Sequence, residues 1–137
     1  SEGEIAFGAP VVLGTAGAVK PWEAASTAAK FVGVALREVK SATDYMNQNE
    51  GGYHKNEAVP VMKRGCVNVI CQNGTPAPGG KVYIRTVENE SYPKAVIGGF
   101  EAAADTGKNV ELTNAQWKGS ADANGVAEMR ILTILNA

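Results

Sequence analysis

Residues 58–86, AVPVMKRGCVNVICQNGTPAPGGKVYIRT, carry the reading that decides the fold. Val59, Val61, Val67, Val69, Ile70, Val82, Tyr83 and Ile84 are β-branched or aromatic, the side chains that suit a pleated, half-buried surface. Gly65 interrupts the run once, and GTPAPGG at 74–80 interrupts it again. Glycine and proline supply turn dihedrals and break hydrogen-bonded ladders. The spacing therefore predicts three short strands joined by two turns. Neither turn carries a nucleophile, a base or a metal-binding cluster.

The same punctuation extends in both directions. VVLGTAGAV at 11–19 reads as strand, glycine turn and second strand. WEAASTAA at 22–29 is alanine-rich and suits either a helical turn or a solvent loop. In FVGVALREV at 31–39 the alternation puts Phe31, Gly33, Ala35 and Arg37 on one face and Val32, Val34, Leu36 and Glu38 on the other. Gly33 there reads as a bend or a close backbone approach. Downstream, AVIGGF at 95–100 suggests a short strand, and 110–112 and 115–117 two brief strands around a turn. The stretch 127–135 is the cleanest strand, with Ala127, Met129, Ile131, Thr133 and Leu135 on one face and Glu128, Arg130 and Leu132 on the other.

Strands recurring every ~8–12 residues with Gly/Pro turns predict an all-β fold, a jelly-roll-like sandwich or small β-barrel in one domain over 1–137. Two segments stand apart from that framework. Residues 1–10 read as an extended N-terminal arm with Ile5 and Phe7 alternating against small or polar neighbours. Residues 41–56, SATDYMNQNEGGYHKN, form the least hydrophobic part of the chain and read as a long exposed loop bearing Tyr45, Met46 and Tyr53.

Composition narrows the function. Of the 137 residues 45% are apolar and 20% charged, a globular profile with enough chain for a real core. The net charge is −1 with no basic stripe, which argues against a nucleic-acid partner. No apolar run approaches the ~20 residues of a membrane span, and no basic amphipathic helix suits a membrane surface. An acidic start without an apolar core segment is unlike a signal peptide, and a first Ser fits cytosolic synthesis after loss of an initiator methionine. Cys66 and Cys71 lie five apart, on opposite faces of one strand, a poor geometry for a bridge.

The search for catalytic chemistry comes back empty. His54 is the one histidine and stands in a polar loop without a partnering nucleophile. One His and two opposed Cys cannot build a tetrahedral metal shell. Glu50, Glu57, Asp105 and Asp122 read as solvated or capping turn residues. Gly79 and Gly80 precede a strand rather than a helix, so they do not cradle phosphate. No catalytic, cofactor-binding or metal site is expected. Trp117, between Gln116 and Lys118, reads as an inward residue, whereas Trp22, beside Pro21, reads as a surface contact.

The order of these pieces resembles the small cement, or decoration, proteins of tailed-phage capsids. The residues that carry the likeness are Gly14 and Gly17 leading into FVGVAL at 31–36 and AVPVMKRGCVNV at 58–69 after the polar loop. GGKVYI at 79–84 and Trp117 ahead of GVAEMRI at 125–131 complete it. The resemblance implies a non-enzymatic structural role on the virion, made in the host bacterial cytoplasm and bound to the outer face of an assembled head. It also implies contact with the major capsid protein and self-association, with dimers at local two-fold positions preferred over trimers at three-fold positions. For such a clamp the candidate contact residues are Ile5, Phe7, Trp22, Tyr45, Met46 and Tyr53. A carbohydrate-binding β-sandwich module is the alternative, and it would display a row of exposed aromatics on one sheet face. A trimeric nucleotide hydrolase of similar length would need Asp/Gly/Tyr phosphate motifs that the sequence lacks.

Overall fold

Strands form where β-branched residues alternate, and turns form where Gly and Pro cluster. The structure, a computed structural model, describes residues 1–37 and 52–132. Its strands are β1 (Ile5–Ala6), β2 (Pro10–Leu13), β3 (Val19–Pro21), β4 (Phe31–Ala35), β5 (Gly52–Tyr53) and β6 (Val61–Met62). They continue as β7 (Gly65–Ile70), β8 (Lys81–Arg85), β9 (Phe100–Glu101), β10 (Asn109–Trp117) and β11 (Val126–Ile131). The three strands read from residues 58–86 are thus β6, β7 and β8. Two single turns of 3-10 helix, at Thr15–Gly17 and Ala28–Lys30, complete the described elements.

The strands make three antiparallel sheets, in the orders β7-β11-β10-β8-β9, β3-β2-β4-β6 and β1-β5. The first two pack face to face around one core, to which Val12, Trp22, Phe31 and Val34 come from one side and Val82, Ile84, Leu112, Trp117 and Met129 from the other. The all-β reading holds, and the arrangement is that of a sandwich. The five-stranded sheet also curls until its edge strands meet. Cys71 bridges Phe100 in parallel, and the Gln72 and Ala102 amides donate to the Phe100 and Asn73 carbonyls at 2.9 and 2.8 Å.

The β2–β4 layer is covered on both faces, and that explains its sequence. One face meets the main core; the other carries Val11 and Ala35 against Ile5 and Tyr53 of the small β1–β5 sheet. Strands buried on both sides read as near-continuous apolar runs rather than as alternations. A bulge refines the expected facing of β4. Val12 pairs with Phe31 while Val11 pairs with Gly33, so one extra residue turns Phe31 onto the same core as Val34. Gly33 is the close approach foreseen for it: a Cβ there would lie 2.2 Å from the Met62 carbonyl oxygen.

Other expectations need correction. Residues 109–117 form one nine-residue strand, and the turn anticipated between 112 and 115 is a pairing irregularity between Leu112 and Gln116. In AVIGGF only Phe100 enters a strand, because the Gly98 amide and Gly99 carbonyl close a turn onto the Arg85 backbone at 2.9 and 3.1 Å. The arm is extended but not free. Ile5 pairs with Tyr53, the Glu2 amide donates to the Val19 carbonyl, and the Gly8 amide to the Ala35 carbonyl, both at 2.8 Å.

Candidate functional site

The expected contact residues divide by burial. Ile5 and Tyr53 are 1% and 2% exposed, and Trp22 is 7% exposed within the main core, so these three hold the domain's own interior. For Trp22 this corrects the surface reading: the turn at 96–99 closes over the indole, and a Cβ at Gly98 would stand 3.5 Å from the Trp22 Cβ. Tyr53 likewise leaves the exposed loop for the core, with its hydroxyl donating to the Leu36 carbonyl. Phe7 is half-buried and meets the Tyr53 ring edge-on, centroids 5.2 Å apart. Tyr45 and Met46 lie outside the described residues. Trp117 is fully buried, as expected.

A different surface emerges from residues that sequence reasoning passed over. Ile70 on β7, with Val96 and Ile97 on the loop between β8 and β9, are 64%, 61% and 37% exposed, and all three line one groove of about 570 Å³ with Phe7. Large exposed aliphatic side chains in one concavity are the ordinary mark of an interaction site. Among the described residues Arg37 is the one charged residue lining the groove. The sequence signal was faint: Ile70 breaks the alternation of β7, since Val69 points inward and its neighbour also is apolar.

The loop that presents Val96 and Ile97 is fastened from beneath. Arg85, Glu101 and Asn109 sit on the outer face of the five-stranded sheet, paired across β8, β9 and β10. The Arg85 guanidinium forks onto the Glu101 carboxylate, Nε to Oε2 at 2.6 Å and Nη2 to Oε1 at 2.8 Å, with both side chains fully buried. Its Nη1 donates to Asp105 Oδ2 at 3.0 Å and to the Val87 carbonyl at 3.1 Å. Gln72 Nε2 donates to Glu101 Oε2 at 3.0 Å and to the Val96 carbonyl at 2.8 Å, while its Oε1 accepts from the Val96 amide at 3.1 Å. Gly99 is required at this crossing, because any Cβ would fall about 2.1 Å from the Gln72 side chain. Tyr92 covers the guanidinium, 5.7 Å from ring centroid to Cζ.

Charge states follow from these contacts. Burial alone would lower the Arg85 pKa, but its hydrogen bonds to Glu101 and Asp105, and the charges of those carboxylates, raise it, so the cation is secure. The Asn89 amide, 2.9 Å from Asp105 Oδ2, and then Arg85 hold the Asp105 carboxyl below its usual range. Asp105 is therefore part of a strut rather than a plain turn residue. Asp122 does cap its turn, accepting from the Asn124 and Val126 amides at 2.8 and 3.0 Å. Cys66 is exposed and Cys71 half-buried, and burial pushes the Cys71 thiol up. Among the described residues no three His, Cys, Asp or Glu side chains converge as a metal site would need, and no helix is long and apolar enough to cross a membrane. Tyr92 is the one aromatic among the exposed large apolar side chains described, so those residues form no aromatic row.

Comparison with known proteins decides what this scaffold belongs to. The profile of the structural cement protein family (E217 gp24/Pam3 gp6) matches residues 1–132. The chain is a member of the phage structural cement protein family. It is thus a phage capsid-associated protein of a structural, non-enzymatic family. Among solved structures it is similar to a chain in the capsid of Myoviridae phage XM1, at 17% identity and TM-score 0.65, over 97% of this chain and 79% of that one. That likeness concerns the fold. No curated protein matches the sequence.

Proposed function

We propose that this protein binds the outer face of an assembled phage head and clamps neighbouring major capsid subunits, without catalysis. The observation that carries the reading is an exposed apolar groove, Ile70, Val96 and Ile97 beside Phe7, on a member of the cement family. Rigid presentation favours such a role. The Gln72–Glu101–Arg85 network holds the Val96 loop in one geometry, so less ordering entropy is lost on docking. A clamp gains from engaging several subunits at once, and self-association, as a dimer in preference to a trimer, would add to that avidity. The segment with Tyr45 and Met46 is assigned to the contact surface alongside Phe7. Synthesis in the host cytoplasm and addition to the finished head complete the proposal.

The test uses heads assembled without this protein. Added protein should co-sediment with them and raise their thermal disruption temperature. Absence of binding to any head would sink the proposal. Sedimentation of the free and bound protein would settle its oligomeric state.

A further inference from the structure

The groove has one wall made of unpaired backbone. Among the described strands β7 pairs with β11 alone, in a register that sets Ile70 opposite Val126 and Cys66 opposite Arg130. The Cys71 amide donates to the Gly125 carbonyl at 2.8 Å, which fixes Cys71 and, two by two, Val69, Val67 and Gly65 as the residues bonded to β11. The amides and carbonyls of Cys66, Asn68 and Ile70 consequently point to the other edge. There the neighbouring chain closes on from Ile70: the parallel bridge of Cys71 to Phe100 takes the Ile70 carbonyl, and the Gln72 amide donates to the Phe100 carbonyl at 2.9 Å. Among the described residues the edge groups of Cys66 and Asn68 and the Ile70 amide are thus left open. The strand GCVNVI carries no charge, proline or bulge, the devices that ordinarily blunt an edge. Asn68 and Ile70 also line the groove, whose far side is made by residues 6–9 and 96–99.

We propose that the free edge of β7 is a strand-addition site for an extended segment of a shell subunit. The segment bonds to the backbone of Cys66 and Asn68 and to the Ile70 amide, lays alternate apolar side chains against Ile70, Val96 and Ile97, and places an acidic residue at Arg37. This rests on the head-binding reading above and specifies how the contact is made. Backbone pairing supplies affinity and the apolar pockets supply choice of side chain, as in other strand additions. Charge complementarity sets the chemistry of the occupant: among the described residues Arg37 is the one charge along the lining and no carboxylate lines it, while Lys63 and Arg64 are exposed just before β7. The groove lies between β7 and the walls at residues 6–9 and 96–99, a recess that a flexible segment enters more readily than the sheet edge of a second whole copy.

The experiment is amide hydrogen exchange on the full chain, free and bound to heads assembled without it, with binding measured for Asn68→Pro and Ile70→Lys. Proline at Asn68 removes an edge donor that β11 does not use, and Ile70 is exposed, so both variants keep the domain folded. On heads, the amides of Cys66, Asn68 and Ile70 should slow at least tenfold, and each variant should bind at least tenfold more weakly at an unchanged melting temperature. Should Asn68→Pro unfold, Ile70→Lys and the exchange data decide alone. Head binding without slowing at these amides overturns the strand-addition proposal and leaves the clamp reading intact; absence of head binding overturns both. Slow exchange at these amides in the free monomer, or slowing that depends on protein concentration without heads, also overturns it, by assigning the edge to this chain's own residues or to a second copy.

Discussion

Replacing Arg85 with methionine isolates the strut beneath the groove. Methionine keeps the aliphatic length but deletes the charge and three hydrogen bonds to carboxylates, two on Glu101 and one on Asp105. At about 1.5–3 kcal/mol for each bond to a charged group, the gross loss is large. The guanidinium's own dehydration cost disappears with it, so the net loss should fall at the ~3–5 kcal/mol seen when one partner of a buried pair is removed. For a domain of this size that is a fall in Tm of about 10–20 °C. Urea titration followed by tryptophan fluorescence is the assay, since Trp22 and Trp117 are both buried and report loss of the core. The double variant Arg85→Met with Glu101→Met should lose less than the sum of the two single variants, because no charge is then left stranded. A loss below about 1 kcal/mol, or strict additivity in the double variant, would refute the buried-strut argument.

The pH dependence of the parent protein follows from Asp105, whose carboxyl is held low by Asn89 and Arg85. Its contribution is present above the unfolded value of about 3.9 and is lost as pH falls through the lower folded value; Asp105→Asn should flatten that acid limb of a melting curve measured against pH, and an unchanged limb would show that other carboxylates dominate it. Gly33→Ala drives a methyl into the Met62 carbonyl and should cost about 1–3 kcal/mol by chemical denaturation, with β4 and β6 forced apart. Ile5→Ala should cost about 2–5 kcal/mol, because Ile5 fills the second core against Tyr53. Deletion of residues 1–9 should for the same reason lower the Tm of the free domain, whereas an unchanged Tm would mean that this segment serves only in contacts with other chains.

The central strands were legible because their pattern is local. β11 shows it best: Ala127, Met129 and Ile131 are buried while Glu128 is exposed, as the alternation predicts. The family resemblance also rested on the order of such strands and turns, and the family match bears it out. The contact residues were much harder to read. An aromatic on an arm or beside a proline can anchor its own core or another molecule, and sequence has no term that separates the two. Ile5, Trp22 and Tyr53 went inward once β1, β5 and the turn at 96–99 supplied cover. Arg85 and Glu101 posed the converse problem. Each occupies an outward strand position, where a charged residue ordinarily meets water, and only the loops folded over that face remove it.

What the sequence determined by itself is the central strands, the alternating faces of β11, the absence of a recognisable catalytic motif and the likeness to capsid cement, since alternation and turn chemistry act within a few residues. Tertiary structure alone decided which surface is left open. The bulge that turns Phe31, the ion pair under the loop, and the exposure of Ile70 beside Val96 each depend on which distant segments meet. Burial and hydrogen-bond satisfaction are properties of that meeting, and no stretch of chain carries them on its own.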